Sequence, residues 1–377
     1  MKIVHIISGL KSGGAEGVLY RLICQDSKND HYVISLTDQG FYGKLLNKKK
    51  ISVKYLNIKK NLNSIFLFFK LIYLIKKINP DVIQCWMYHG DILGGLAGRI
   101  LGKKKIYWNL RNSDLDIHWS NKSTIFLAKL SSYLSYVIPL KIISCSNKST
   151  ITHIKSGYSR KKILLINNGF DKRKFNYSKK YKKYWKYKLK INDQNTIFGF
   201  VGRWSDQKDF ETLFKAFGYF AKNAKDSNLI KLLLIGKNIN KNNKKFLKEI
   251  KKYGLIRHVM LIDETNTINQ ILNVIDIGIF SSKGNEGFPN VIAEKMLTKI
   301  PCIVADVGDS KKIIGKSGWI YKKRNWFDLN KKINFVYKDY FQNKPIWNTR
   351  KNLSRKRIIN YFSLSQMVES YNQIWNK

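Results

Sequence analysis

The chain has 377 residues, with 70 Lys and Arg against 25 Asp and Glu, and a formal net charge of +45. That length predicts two domains of roughly 150–200 residues, and a hydrophobic fraction of 44% is enough for real cores. No low-complexity run or repeat stands out, and no uncharged apolar run reaches about 18 residues, which excludes a membrane-spanning helix.

In chain order, strands are predicted at 2–8, 31–36, 52–56, 81–86, 106–110, 142–145 and 163–166. Helices are predicted between most of them, at 15–24, 65–78, 92–100, 125–137 and 149–155. Continuous apolar strands alternating with helices indicate a parallel sheet covered on both faces. A charged, Tyr- and Lys-rich stretch with few aliphatics follows and reads as a linker over 176–195. The pattern then restarts, with strands at 196–201, 231–235, 259–262, 277–280 and 302–305 and helices at 210–221, 244–253, 268–274 and 290–297. Residues 364–375 read as a last helix. The expected fold class is α/β, with two Rossmann-like, doubly wound parallel-sheet domains and a cleft between them. The expected division is 1–175, the linker 176–195, 196–355, and a terminal segment 356–377.

The positive charge has two open readings. It could mark an anionic partner, or it could be a lysine-rich composition spread over solvated faces, since the lysines form only short runs such as Lys48–Lys50 and Lys103–Lys105. Either way, anionic lipid headgroups attract such a chain by about 1 kcal/mol per nearby cation. Charge alone also suggests a nucleic-acid-binding protein, the alternative reading. A clustered aromatic and basic stripe or a recognised binding module is missing, so no nucleic acid is expected. Cys24, Cys85, Cys145 and Cys302 lack metal-ligand or CxxC spacing and read as buried free thiols of a reducing compartment. The first apolar run is too short for a signal peptide. A cytoplasmic protein, on the inner face of the cytoplasmic membrane, is therefore expected.

Ligands of doubly wound sheets bind outside the carboxyl ends of the strands, which singles out four loops. Ser8–Gly17 is a Gly-rich strand-to-helix turn containing Gly13, Gly14 and Glu16. It fits neither a dinucleotide fingerprint nor a P-loop. Arg111, Asn112 and Ser113 end another strand, with His118 nearby, and Trp86–Gly90, which includes His89, ends a third. Gly202–Phe210 carries Arg203 and Lys208, two cations able to neutralise a diphosphate without a metal. Finally, Glu286, Gly287, Phe288, Pro289, Asn290 and Glu294 place two carboxylates around a helix N-terminus. Carboxylates paired for hydrolysis stand roughly 5–10 Å apart, whereas eight helical residues span about 12 Å. Separate contacts to two parts of a long ligand fit better. Asp114-Leu115-Asp116 matches a short Asp-X-Asp metal pattern that arises often by chance, and no metal site is expected. His5, His31 and His153 read as structural. The apolar helices at 65–78 and 125–137 read as core, with bilayer contact as their alternative.

Taken together, Gly13–Glu16, Trp86–Gly90, Arg111–Ser113, Asn167–Asp171, Gly202-Arg203…Lys208 and Glu286–Asn290…Glu294 resemble a family-4 retaining glycosyltransferase of the GT-B fold. The resemblance implies a nucleotide-sugar donor, UDP-sugar favoured over GDP-sugar, and a lipid-linked saccharide acceptor in polysaccharide or glycan synthesis. It also implies no cofactor and no metal. Arg203 and Lys208 would hold the donor diphosphate, Glu286 with the backbone of Phe288–Asn290 the sugar, and Glu294 the ribose. Gly13 and Gly14 would close onto the donor, with Gly202, Gly287 and Pro289 shaping its loops. Many relatives carry a His where this chain has Arg111. That role stays open between Arg111 and His118, with Glu16, His89 and Asn112 as further acceptor-side candidates.

Overall fold

The computed structural model describes residues 1–58, 64–115 and 120–377. Asp116 and His118 lie outside the described residues. The elements run β1 (Lys2–Ile7), α1 (Gly14–Gln25), β2 (Asp30–Ser35), α2 (Gly40–Lys48), β3 (Ser52–Tyr55), α3 (Ser64–Ile78), β4 (Val82–Trp86), α4 (Met87–Ile100), β5 (Ile106–Leu110), α5 (Lys122–Leu134), β6 (Lys141–Ser144), α6 (Asn147–Lys155) and β7 (Ile163–Leu165). Then come α7 (Lys179–Lys188), β8 (Thr196–Val201), α8 (Phe210–Asn223), β9 (Ile230–Ile235), α9 (Lys244–Lys252), β10 (Val259–Ile262), α10 (Ile268–Ile271), β11 (Ile277–Phe280) and α11 (Asn290–Leu297). The chain ends with β12 (Cys302–Ala305), α12 (Ser310–Ile314), β13 (Trp319–Tyr321), α13 (Trp326–Gln342), α14 (Lys344–Tyr361) and α15 (Leu364–Trp375).

The chain divides into two units. The first comprises Met1–Gly169, Asn285–Phe288 and Leu364–Lys377. Its sheet has the order β3-β2-β1-β4-β5-β6-β7, and every pair is parallel. Strand order reverses between β1 and β4, the position where doubly wound sheets bind ligands. The inner strands β4 and β5 are buried throughout, as strands covered on both faces must be. One apolar core joins Val18, Leu19 and Leu22 of α1 to Met367, Tyr371 and Trp375 of α15. The other joins Leu71 and Ile75 of α3, Ala97 of α4 and Ala128 of α5. Gly90 lets α4 approach the sheet, since a Cβ there would stand 2.7 Å from the Ile6 carbonyl oxygen.

The second unit comprises Phe170–Gly284 and Pro289–Ser363. Its parallel sheet has the order β10-β9-β8-β11-β12-β13, again reversing between two central strands, β8 and β11. Both units are thus α/β and doubly wound. No helix among the described residues is long and apolar enough to cross a membrane.

Several details differ from the sequence reading. The stretch read as a linker, 176–195, contains α7, whose Ser178 side chain accepts the Tyr181 N–H at 3.3 Å and whose Trp185 is buried. One buried ring anchors this helix, so it shows no apolar stripe. Helix α4 begins at Met87, directly after Trp86, because Met87 itself takes a left-handed φ of 64°; no turn residue marks that junction. The expected helix at 268–274 is one α-turn followed by a 3-10 turn, Leu272–Val274. Helices α2, α12, α13 and α14 and strand β13 were not anticipated. Cys24 is exposed, while Cys85, Cys145 and Cys302 are buried. Helices α3 and α5, read as core, leave Phe66, Phe69, Phe126 and Tyr133 exposed.

Candidate active site

In the first unit, the β1–α1 turn, the start of α4 and the end of β5 carry the candidate residues. Gly13 is the N-cap of α1, in extended backbone, and Gly14 opens the helix. Glu16 lies in the first turn and folds back, so that a Cβ on Gly13 would collide with its carboxylate. Glycine at 13 is thus required for the position Glu16 takes. Burial raises the Glu16 pKa, opposed by its own backbone N–H and by the Arg111 charge. Glu16 and Arg111 therefore act on one another across the strand ends.

Arg111 is held firmly. One terminal nitrogen donates to Asn168 Oδ1 at 2.6 Å and the other to the Tyr371 hydroxyl at 3.1 Å. Its guanidinium carbon sits 4.8 Å from the centre of the Trp86 ring, a cation–π contact. The Tyr371 hydroxyl also accepts from Asn109 Nδ2 at 2.6 Å. Helix α15 thus fixes a residue that lies 260 positions earlier. Beside it, the Asn112 carbonyl accepts from Ser149 Oγ at 2.6 Å, and the Asn112 side chain hydrogen-bonds Tyr88. His89 is exposed in the first turn of α4. Gly287 belongs to this unit. A Cβ on it would stand 3.2 Å from Cys145 Sγ and 3.4 Å from the Arg111 carbonyl oxygen, so the Glu286–Phe288 backbone lies against the Arg111 loop. Asn285 enters this segment with a left-handed φ of 53°, a conformation that asparagine tolerates better than most residues.

Two buried histidines support the same strand ends. Trp86 Nε1 donates to His5 Nδ1 at 3.2 Å, His5 Nε2 lies 2.9 Å from His31 Nδ1, and His31 Nε2 lies 3.2 Å from Asp26 Oδ2. With both imidazoles neutral, each nitrogen in this chain has a matched donor or acceptor, and Asp26 orients the series. Burial holds the His5 pKa well below its ordinary value. These histidines are structural, as their sequence positions suggest.

In the second unit, Gly202, Arg203 and Lys208 form the turn from β8 towards α8. Arg203 donates to Gln207 Oε1 at 3.3 Å. The Lys208 stem passes Gly202, where a Cβ would stand 3.5 Å from Lys208 Cδ, and its ammonium lies 5.5 Å from the centre of the Phe280 ring. The end of β11 stitches this turn in place. Ser281 Oγ donates to the Lys208 carbonyl at 2.8 Å, Ser282 Oγ to the Gln207 carbonyl at 3.0 Å, and the Lys283 N–H to the same carbonyl at 2.8 Å. In return, Gln207 Nε2 donates to the Gly284 carbonyl at 3.3 Å. The cation turn and the strand that leads to Glu286 are one hydrogen-bonded piece.

The two helix ends here differ. Asp209, at a left-handed φ of 50°, caps α8 with its own carboxylate, which occupies that positive end. Helix α11 starts after Pro289 as N-cap, with no side-chain cap. Proline has no side-chain acceptor to offer, so α11 presents the end better suited to an anion. Asn290 opens α11 and Glu294, half-buried, lies one turn in.

Sequence reasoning missed Lys295. Next to Glu294 in a largely apolar helix, it is 1% exposed and donates to the Gly199 carbonyl at 3.0 Å and the Ile279 carbonyl at 2.7 Å. Burial lowers its pKa to about 8, helped by the Lys208 charge and opposed by Cys302 and Glu294. Its stem crosses Gly278, where a Cβ would stand 3.0 Å from Lys295 Cδ. The signal available in sequence was the glycine in the middle of an apolar strand, which marks close approach of another group.

Residues 12–174 match the family described as Glycosyltransferase Family 4, and residues 182–357 match the family described as glycosyl transferases group 1. The capsular polysaccharide biosynthesis glycosyltransferase CapH of Staphylococcus aureus is 26% identical over 298 residues, covering 78% of each chain. The Escherichia coli UDP-Gal:alpha-D-GlcNAc-diphosphoundecaprenol alpha-1,3-galactosyltransferase is 23% identical over 325 residues, covering 84% of this chain and 79% of its own. Among solved structures, Anabaena HepE in complex with UDP superposes with a TM-score of 0.85 at 19% identity, covering 99% of both chains. That likeness establishes the GT-B fold. The two family matches, which together span nearly the whole sequence, make this chain a glycosyltransferase, of Glycosyltransferase Family 4 over residues 12–174 and of glycosyl transferases group 1 over residues 182–357.

Proposed function

We propose that the protein is a retaining, metal-independent glycosyltransferase. It would move a sugar from a UDP-sugar, or a GDP-sugar, to a lipid-linked saccharide in polysaccharide synthesis, working at the inner face of the cytoplasmic membrane. The observation that carries this reading is the stitched pair of loops in the second unit. Arg203 and Lys208 offer two cations on a turn whose position is set by the strand leading to Glu286. A donor diphosphate carries matching negative charge. The relatives' names support the substrate classes, one naming a UDP-galactose donor with a diphosphoundecaprenol acceptor and another a capsular polysaccharide.

In this reading, the bond between the anomeric carbon and the β-phosphate oxygen breaks, and the acceptor hydroxyl oxygen bonds to that carbon on the same face. The acceptor proton passes to the departing phosphate. Arg203 and Lys208 stabilise the charge gathering on the diphosphate, an electrostatic contribution of the kind worth about 2.7–4 kcal/mol per donor. Glu286 and nearby backbone N–H groups orient the sugar hydroxyls, and Glu294 holds the ribose. Because the protein supplies the cations, chelators leave the rate unchanged. The test is mass spectrometry of products from a panel of UDP- and GDP-sugars with a lipid-linked saccharide, in the presence of EDTA. Anomeric configuration is read by NMR. An inverted product, or loss of activity in EDTA restored by a divalent cation, overturns the corresponding part.

A further inference from the structure

Helices α3 and α5 turn apolar side chains to solvent. Phe66, Phe69 and Tyr73 on α3 are 73%, 61% and 60% exposed, and their spacing of three and four places them on one stripe. Phe126 and Tyr133 on α5, with Val137 just beyond it, are 66%, 67% and 66% exposed and follow the same periodicity. These are not the core-facing sides. Leu71 and Ile75 of α3 and Ala128 of α5 are buried in one core together with α4, and α4 packs against both helices. The two stripes therefore lie on the outer side of a single helical layer. Each stripe is an exposed apolar surface of the kind that marks an interaction site.

The charges around it select the partner. Residues 64–78 and 120–141 contain no Asp or Glu, while Lys70, Lys76, Lys77, Lys122 and Lys129 are exposed among the rings. A second copy of this face would set lysine against lysine with no carboxylate to pair them, which disfavours a symmetric dimer here. Exposed rings on α13 make a useful contrast, because Phe327 and Phe335 share their helix with Asp328 and Asp339. Apolar rings with flanking lysines and no acids match the boundary between acyl chains and anionic headgroups. We propose that the outer face of α3 and α5 is where this protein lies on an anionic lipid bilayer. The proposal rests on the lipid-linked acceptor reading for its purpose, but lipid binding is measured without an acceptor.

The test is co-sedimentation at about 0.15 M salt with vesicles of phosphatidylglycerol mixed into phosphatidylcholine, and with phosphatidylcholine alone. Two double variants remove rings from the face, Phe66→Ser with Phe69→Ser and Phe126→Ser with Tyr133→Ser. A third, Phe327→Ser with Phe335→Ser, removes rings from α13. The first two weaken partitioning to the anionic vesicles at least about tenfold each, and the third leaves it unchanged. Thermal midpoint and UDP binding are measured on every variant to show that it is folded. If all three partition like the wild type, diffuse charge alone adsorbs the protein and the proposal is overturned. It is also overturned if the wild type is a dimer that the first two variants dissociate. Transfer to a detergent-dispersed lipid-linked saccharide is scored separately. Its absence overturns the acceptor reading, while vesicle binding stands or falls on its own result.

Discussion

Acidification destabilises the first unit through His153, by an amount the structure allows to be worked out. The ring is 0% exposed. Its Nδ1 lies 2.8 Å from the Ser149 carbonyl oxygen, so that nitrogen carries the proton, and Nε2 accepts from the Tyr88 hydroxyl at 2.7 Å. Tyr158 packs edge-on at 4.9 Å between ring centres. Burial raises the pKa of the Asp91 carboxyl well above its usual value, and no carboxylate charge acts on His153 to favour its imidazolium. Burial lowers the His153 pKa from 6.5 to about 4. The unfolded chain therefore binds a proton that the folded chain refuses, and stability falls as pH drops below 6.5. Each pH unit costs about 1.4 kcal/mol until pH 4. Between pH 7 and pH 5 the loss is about 2 kcal/mol, and by pH 4 it is about 3 kcal/mol. His153→Gln keeps one donor and one acceptor at the site but does not titrate. Urea unfolding of both proteins at pH 7 and pH 5 isolates the contribution, because every other group, including His5, cancels in the difference. Wild type should lose about 2 kcal/mol more than the variant. Equal losses, or an NMR titration of His153 near 6.5, refute the argument.

Other substitutions test the candidate site. Lys208→Ala should lower kcat by about a hundredfold or more while the thermal midpoint holds; full activity in the folded variant removes Lys208 from the mechanism. Tyr371→Phe deletes the acceptor shared by Asn109 and Arg111, and a buried hydrogen bond to a charged group is worth about 1.5–3 kcal/mol; an unchanged unfolding free energy would show that Arg111 does not depend on α15. Lys295→Met removes a buried ammonium whose pKa is lowered to about 8. Since the unfolded lysine keeps its proton to higher pH, wild type should gain about 3 kcal/mol over this variant as pH rises from 8 to 10.5, and parallel curves count against a buried charge. Gly90→Val places side-chain carbon against the Ile6 carbonyl and should cost several kcal/mol, roughly the range of severe core overpacking; a normal melting curve would mean α4 can retreat from the sheet.

The sheets were legible because their inner strands are short apolar runs, each fully buried, that alternate with helices. Elements whose signal is tertiary were not. Helix α14 has 18 residues yet buries only Trp347, Ser354 and Ile358, too sparse a set to show a period. Helix α13 did carry a readable stripe, Leu329, Ile333 and Val336, hidden among lysines and aromatic rings. The candidate site divides in the same way. Gly13, Arg203, Lys208 and the two glutamates announce themselves through loop position and local spacing. The grip on Arg111 does not, because Asn168 and Tyr371 come from segments 57 and 260 residues away.

Lys295 shows why such residues matter for the argument about charge. Most of the 70 cations sit in water, where a single charge contributes little and salt screens it. A cation held at 1% exposure by two backbone carbonyls is screened far less and has no freedom to reorganise. The Lys208 charge is close enough to lower the Lys295 pKa further. In the second unit the excess of lysine over acid therefore divides by environment. The solvated lysines set the long-range field, and the buried one, while protonated, sets a local potential behind the turn that carries Arg203 and Lys208. Substituting surface lysines should weaken salt-dependent association while leaving the intrinsic properties of that turn alone. Substituting Lys295 should do the reverse.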